Sequence, residues 1–578
     1  MILDLKIREK SFGNKTLMTD VSFSIEDGEK VGLVGRNGLG KSTLLHIIAG
    51  RDTDFTGAVN IRNGKIIVET AQEHAGISGV NLVDYILSGL PEFAKLSRAM
   101  ENFAKKTDPS PHDLNKYNDT LERFTALNYW DVENNVVQEL ANFGLANFAK
   151  SEFSSLSGGQ KRLAEIVKVM NSSAHLALID EPTNHMDFRA KNQFVEFAKT
   201  SNMAMLIVTH DRDVLKVVDK IVEIKDGHAQ IFKGNYDDYL RQNASSASTS
   251  AHDYEMAQKT LENARKQVLA MQRMKERARD PGTIRQFKRR ENEAREEVAR
   301  LEQIKKPSIW IDSGSVADLG LKDAENYKKF KSKNIRLSGI SRNDSRSFSV
   351  LVAVRDLALG YGEKILFNEL NFDLREREKI ELRGLNGAGK TTLIREILHT
   401  IFADDLSRNL GKIGAKHDAL LRERKYEFSK NMPEVFDGTV EVSPKIRVGI
   451  YDQEIREKFL NLPLRSAIEK LYLDDGLDIS DTKIRQLLSD YLFVEHDGEM
   501  LIRDLSGGQK ARFQMISMLR NNPNLLVLDE PTNHLDLPSI EELETALAKF
   551  DGAVIFVSHD SYFREKIGGA VIEIGAQK

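Results

Sequence analysis

The chain is written twice. Gly35-Arg36-Asn37-Gly38-Leu39-Gly40-Lys41-Ser42-Thr43 recurs as Gly384-Leu385-Asn386-Gly387-Ala388-Gly389-Lys390-Thr391-Thr392, 349 positions later. At the same offset Leu156-Ser157-Gly158-Gly159-Gln160 recurs as Leu505-Ser506-Gly507-Gly508-Gln509, and Asp180-Glu181-Pro182-Thr183-Asn184 as Asp529-Glu530-Pro531-Thr532-Asn533. His210-Asp211 recurs as His559-Asp560. Four motifs in one register describe one domain used twice. Length agrees, because 578 residues exceed the roughly 250–300 that one core can serve. One marker leaves the register: Gln72 and Gln453 each follow a strand-like run but lie 381 apart. The second copy therefore carries extra residues before its glutamine, and the first carries them after it.

The repeated motifs describe chemistry. A Gly-x-x-x-x-Gly-Lys-Ser/Thr run after an apolar strand is a phosphate-binding loop. Its backbone N–H groups wrap phosphate oxygens at a helix start, Lys41 and Lys390 reach the outer phosphates, and Ser42 and Thr391 hold Mg²⁺. Leu176–Ile179 and Leu525–Leu528 are buried-strand runs that each end in two adjacent acids. Alternation along a strand points neighbours to opposite faces, so Asp180 and Asp529 are expected on Mg²⁺, with Glu181 and Glu530 polarising an attacking water. The competing reading is that these acids cap the following turn. His210 and His559 each end another apolar run, 29 residues past their glutamate, which points to a terminal-phosphate contact over a purely structural histidine. Phe12 and Tyr361 sit 23 residues before their loops, where an aromatic ring stacks on a base or simply belongs to a strand.

Leu-Ser-Gly-Gly-Gln is narrower in distribution than any phosphate loop, and with it the chain resembles the ATP-binding cassette ATPases. The resemblance implies an α/β fold of two P-loop NTPase domains, ATP and Mg²⁺ as cofactors, and head-to-tail closure of the cassettes. Ser157, Gly158, Gly159 and Gln160 would cover nucleotide held by Lys390; Ser506, Gly507, Gly508 and Gln509 would cover nucleotide held by Lys41. The implied ATP set also takes in Phe12, Gly35, Asn37, Gly38, Gly40, Ser42 and Thr43, with Tyr361, Gly384, Asn386, Gly387, Gly389, Thr391 and Thr392 opposite. Gln72 and Gln453 are placed like the family's Mg²⁺-contacting glutamine. Both sites keep a glutamate and a histidine, so two hydrolysis-competent sites are expected.

Residues 1–240 and 350–578 read as the two cassettes, with 241–349 as a linker. That linker opens on the low-complexity run 243–250, read as a flexible entry. Tyr254, Ala257, Leu261, Ala264, Val268 and Met271 then follow helical 3-4 spacing, and Ile284, Phe287, Glu291, Ala294, Val298 and Leu301 repeat it. Asp280-Pro281-Gly282-Thr283 separates them as a turn, with Thr283 and Gln286 at capping-box spacing. The pattern predicts an antiparallel helical hairpin over about 253–306, its first arm spanning 253–279. Ten Lys/Arg between 265 and 290 face only Glu276 and Asp280, so the segment holds +8 while the whole chain is −4. A charge run is often a solvated face. Here it is arginine-rich and gathered near the turn, which suits a nucleic-acid backbone: Arg273, Lys275, Arg277, Arg279, Arg285, Lys288, Arg289 and Arg290 are the candidate RNA contacts.

Twin cassettes, Glu-Pro-Thr-Asn-His-Leu/Met-Asp in both copies, Gly234-Asn235-Tyr236 closing the first, and a charged helical linker together resemble the ABC-F family. That resemblance implies a monomer that binds the ribosome when loaded with ATP. Its hairpin would sit near the tRNA exit site and peptidyl-transferase centre against ribosomal RNA and tRNA, and hydrolysis would release it. A housekeeping translation factor and a protector against ribosome-targeting antibiotics both fit; the ATPase subunit of a membrane transporter fits less well. No stretch approaches the roughly 18 apolar residues of a membrane span. With no cysteine and no apolar leader at Met1-Ile2-Leu3-Asp4, the chain reads as cytoplasmic. Two segments are unassigned: 402–440, and roughly 91–134, which reads as either a ribosome-facing arm or simple packing.

Overall fold

A computed structural model describes residues 1–12, 15–71, 78–107, 109–184, 186–225, 227–277, 281–302, 349–409, 432–451, 455–491, 493, 495–505, 507–533 and 535–575. The chain forms two compact units, Met1–Tyr236 with Ile335–Lys578, and Asp237–Asn334.

In the first half, strands run in the spatial order Ile67–Glu69, Leu176–Asp180, Ala204–Val208, Lys30–Gly35, Lys220–Lys225 and His228–Lys233. All neighbours are parallel except the last pair. Every residue of Leu176–Asp180 and of Ala204–Val208 is buried, as continuous apolar runs must be when helices cover both sheet faces. The second half repeats the plan with Val448–Tyr451, Leu525–Asp529, Ala553–Val557, Lys379–Arg383 and Ala570–Glu573, all parallel. Each half adds a three-stranded antiparallel sheet, with Leu3–Phe12 or Val350–Tyr361 in its centre. Phosphate loop, acidic pair and histidine thus follow three adjacent strands. Their carboxyl ends meet at one edge, where open parallel sheets place their ligands.

The segment 91–134 packs. Its helices Phe93–Ala104 and Pro111–Ala126 stack Phe103 on Tyr117 with ring centres 4.1 Å apart. Leu96, Phe124, Leu127 and Tyr129 are buried in the first half's helical core. In the second half, helix Lys390–Asn409 carries the chain into the 402–440 segment with Phe402 buried, and strand Glu434–Val442 ends it. Residues 410–431 lie outside the described set.

The linker departs from expectation at both ends of its first helix. Tyr236–Arg277 is one helix of 42 residues, and it runs straight through 243–250, the stretch read as flexible. Alanine and serine tolerate a helix well when no glycine or proline interrupts, and flanking turns remove the nucleation penalty. The second helix, Pro281–Glu302, starts at its proline, ahead of the Thr283–Gln286 pair. Leu261, Ala264, Ala294 and Leu301 are buried, as the 3-4 spacing requires. The charged interruption Glu291 is buried too, accepting from Arg295 Nη2 at 2.8 Å and Gln272 Nε2 at 3.3 Å. Among the described residues no helix is long and apolar enough to cross a membrane.

Candidate functional site

The phosphate loops lie between strands Lys30–Gly35 and Lys379–Arg383 and the helices beginning at Lys41 and Lys390. Gly40 and Gly389 take positive φ, at 86° and 102°, and side chains of Met18 and Phe367 occupy the space a Cβ would need. Only glycine closes these turns without strain. Lys41 Nζ donates to the carbonyls of Gly35 at 2.7 Å and Arg36 at 3.2 Å, and Lys390 Nζ to those of Gly384 at 2.9 Å and Leu385 at 3.0 Å. Burial pushes both ammonium pKa values down, against the pull of nearby acids. A poorly hydrated cation at a ring of N–H groups is what a polyphosphate requires.

At the next strand ends, Thr391 Oγ1 donates to Asp529 Oδ2 at 2.8 Å, and Ser42 makes the matching bond to Asp180. Each pair offers hard oxygen donors on one spot beside the lysine, a set that fits Mg²⁺ completed by phosphate oxygens and water. Glu181 and Glu530 sit at φ 45° and 49°, strained for a residue with a side chain, and each donates its N–H to a strand carbonyl, Val208 or Val557. His210 Nε2 is 3.3 Å from Glu181 Oε1; His559 Nε2 is 3.1 Å from Glu530 Oε1. Burial raises both glutamates to about 8 and lowers both histidines to about 3. At neutral pH each contact therefore sets an uncharged imidazole beside a largely protonated carboxyl and is not an ion pair.

The two halves bring these sets together. One cleft of about 980 Å³ is lined by Ser157, Gly158, Gly159 and Gln160 from the first half. Tyr361, Asn386, Gly387, Gly389, Lys390, Thr391, Thr392, Asp529, Glu530 and His559 from the second face them. Ser157 caps helix Gly158–Asn171 in a capping box with Gln160, so the pentad presents a helix start to the cleft. A second space of about 390 Å³ surrounds Asn37, Gly38, Gly40, Lys41, Ser42, Thr43, Asp180 and Glu181. Gly507 packs so closely on Asn37 that an added Cβ would lie 2.7 Å from its Nδ2; Gly508 and Gln509 follow in helix Gly507–Leu519. Tyr361 lines its cleft. Phe12, 57% exposed, is not among the described residues lining the space around Lys41, and Lys10 Nζ lies 4.8 Å from its ring. Gln72, Gln453 and Ser506 lie outside the described residues.

Two aspartates belong to this geometry that sequence reasoning left without a role. Asp187 Oδ2 accepts from Asn386 N–H at 3.2 Å, and Asp536 Oδ2 from Asn37 N–H at 3.3 Å, each reaching the opposite phosphate loop. Their other oxygens cap helices Phe188–Thr200 and Leu537–Ala548. Their recurrence at the 349-residue offset was the available signal. On the linker, Arg273, Arg285, Lys288, Arg289 and Arg290 are exposed. Arg289 Nε donates to Glu293 Oε1 at 3.1 Å within its own helix. The side chains of Lys275 and Arg277, and all of Arg279, lie outside the described set.

Comparison with known proteins agrees with this geometry. The ABC transporter family model matches twice, at residues 18–184 and 367–533, the two matches again offset by 349. The chain is 29% identical to "Putative ATP-binding protein YdiF" of Bacillus subtilis over all of its own length and 80% of that protein's. It is 28% identical to "ABC transporter F family member 5" of Arabidopsis thaliana, covering 98% of this chain and 74% of the relative. "Ribosome protection protein VmlR" of Bacillus subtilis is 26% identical, with 96% and 83% covered. Among solved structures, "RNase-L Inhibitor" superposes with a TM-score of 0.56 at 15% identity, covering 99% of this chain and 87% of that one, a likeness of fold. Two matched cassettes, no membrane-crossing helix among the described residues and full-length relatives of the F branch lead to one conclusion: the chain belongs to the ABC transporter family, as an ABC-F protein.

Proposed function

We propose that this protein is an ATP-dependent translation factor: it binds the ribosome with ATP in both clefts, inserts its hairpin near the tRNA exit site and peptidyl-transferase centre, and leaves on hydrolysis. The observation that carries the reading is the linker, where Arg273, Arg285, Lys288, Arg289 and Arg290 are exposed around the hairpin turn of a chain whose overall charge is −4. Arginine forks match phosphate oxygens, so this end suits ribosomal RNA or tRNA. The F-branch relatives support it, and the relative named for ribosome protection favours a second reading, defence against a ribosome-targeting drug.

In the proposed reaction, Lys41 and Lys390 hold the β- and γ-phosphates, and the opposite pentad covers the nucleotide. Mg²⁺, held by Ser42 with Asp180 and by Thr391 with Asp529, would neutralise phosphate charge. Water attacks the γ-phosphorus, the bond to the β-phosphate oxygen breaks, and Glu181 or Glu530 accepts the water's proton. His210 and His559, kept neutral by burial, orient the glutamate and meet the γ-phosphate. The reading places the protein in the cytoplasm as a monomer.

The test combines Glu181→Gln with Glu530→Gln, adds ATP and sediments cell extract through sucrose. The trapped protein should pellet with ribosomes. Protein that stays at the top while ribosomes pellet would falsify the reading.

A further inference from the structure

The repeat lets each contact across the cassette interface be compared with its counterpart 349 positions away. The Asp187 and Asp536 contacts are matched. Those of Lys191 are not. Lys191, 3% exposed on helix Phe188–Thr200, has its Nζ 3.0 Å from Asp211 Oδ2 and 2.6 Å from Asp213 Oδ2 in its own cassette. It also donates to the backbone carbonyl of His559, in the other cassette, at 3.2 Å. The corresponding residue of the second copy is Ile540, 2% exposed, an alkyl chain with nothing to donate.

From this we infer that Lys191 is a positioning residue acting across the interface on the site at Lys390, and that the two ATP sites are therefore unequal. The inference rests on the proposed ATPase function. His559, gripped through its carbonyl, donates its N–H to Glu530 Oε2 at 3.2 Å and sets its ring 3.1 Å from Oε1. The residue that Lys191 holds is thus the residue that orients the proton acceptor. Asp213 extends the grip by accepting from Ser561 Oγ at 2.6 Å, two residues further along, where helix Ser561–Ile567 begins. Burial works against the lysine's charge, but Asp211, Asp213 and Asp560 outweigh it and hold the ammonium charged. In the first cassette the loop after His210 meets its neighbour differently: Arg212 Nη1 donates to Glu544 Oε1 at 2.8 Å. That contact fastens a side chain two residues beyond the histidine. Docking of the first cassette therefore completes the site at Lys390 in a way the second cassette does not return.

The test reads Lys191→Met in two backgrounds that each keep one glutamate. With Glu181→Gln, only the site at Lys390 turns over, and Lys191→Met should lower kcat about tenfold while KM for ATP stays within about twofold. With Glu530→Gln, only the site at Lys41 turns over, and the same change should move kcat less than about twofold. Because Lys191→Met leaves two half-buried aspartates without their shared cation, Lys191→Gln with Asp213→Asn is made alongside; it removes the ammonium and keeps hydrogen-bonding groups, and should give the same site-selective loss. Amide hydrogen exchange supplies a readout that needs no turnover: residues 553–560 should gain more in exchange rate in the variants than residues 204–211. Equal losses in both backgrounds, equal exchange in both segments, or no change in either overturns the proposal. A wild-type chain that hydrolyses no ATP would sink the proposed function, and the exchange comparison would still decide this one.

Discussion

Replacing Glu530 by glutamine probes the electrostatics of the site beyond turnover. Burial lifts its carboxyl from the ordinary 4.5 to about 8, so the folded chain keeps a proton that the unfolded chain releases. Stability from a raised carboxyl is fully present below the unfolded value and is lost as pH rises through the folded one. Between about pH 6 and pH 9 that shift amounts to a loss of roughly 2.7 kcal/mol. The side chain is 13% exposed, and solvent screening trims the figure to roughly 2 kcal/mol. Glutamine has nearly the same shape and does not titrate. Glu530→Gln should therefore gain on the wild type steadily as pH rises, with its calorimetric midpoint advantage widening by roughly 4–8 °C across that range. The experiment is differential scanning calorimetry without nucleotide, both proteins in the same buffers. Over the same interval the wild-type kcat/KM should climb about tenfold between pH 7 and pH 9, because only the ionised carboxylate accepts the water's proton. A midpoint difference that stays constant from pH 6 to pH 9 would mean that Glu530 ionises well below that range, and the account of a neutral glutamate–histidine pair would be wrong.

Three further outcomes follow from the geometry. Lys41→Ala and Lys390→Ala should each remove one of two nucleotides bound per chain, counted by equilibrium titration with a fluorescent ATP analogue; two nucleotides after either change would contradict the assignment of that loop. Arg212 and Glu544 are both almost fully buried, and Lys566 shares the same carboxylate at 3.1 Å. Glu544→Gln removes the negative charge that two cations share and should destabilise more than Arg212→Met, with a coupling energy of roughly 2 kcal/mol in the double-mutant cycle. Glutamate at Arg273, Arg285, Lys288 and Arg289 together should weaken co-sedimentation with ribosomes and flatten its salt dependence while basal ATPase is kept; unchanged binding would return this end to a solvated helix face.

The parts of the sites that lie close together in sequence were legible, because local backbone geometry creates them. The loop glycines, Lys41 and Lys390, and the acids at strand ends follow from motif and strand periodicity alone, and the fixed offset carries each from one half to the other. What could not be read was chemistry made by contact between distant segments. Arg212 and Glu544 are 332 positions apart, and each looks like an ordinary surface charge until two helices meet. Lys191 is one more basic residue on a polar helix until Asp211, Asp213 and His559 surround it. The linker failed in the other direction: composition at 243–250 suggested a break, but helix continuity depends on the turns on either side, and these carry it through.

The charges buried between the halves also govern which halves can pair. Two copies of the first half would set Arg212 against Val195, the residue standing where Glu544 stands in the second. Two copies of the second half would set Glu544 against Ser561, with neither Arg212 nor Lys191 present. Pairing first half with first half would bury an uncompensated charge at Arg212, and pairing second with second would forfeit the Arg212–Glu544 contact and leave Glu544 only Lys566 of its own half. The charges buried across the interface thus favour pairing of the first cassette with the second over a union of like halves.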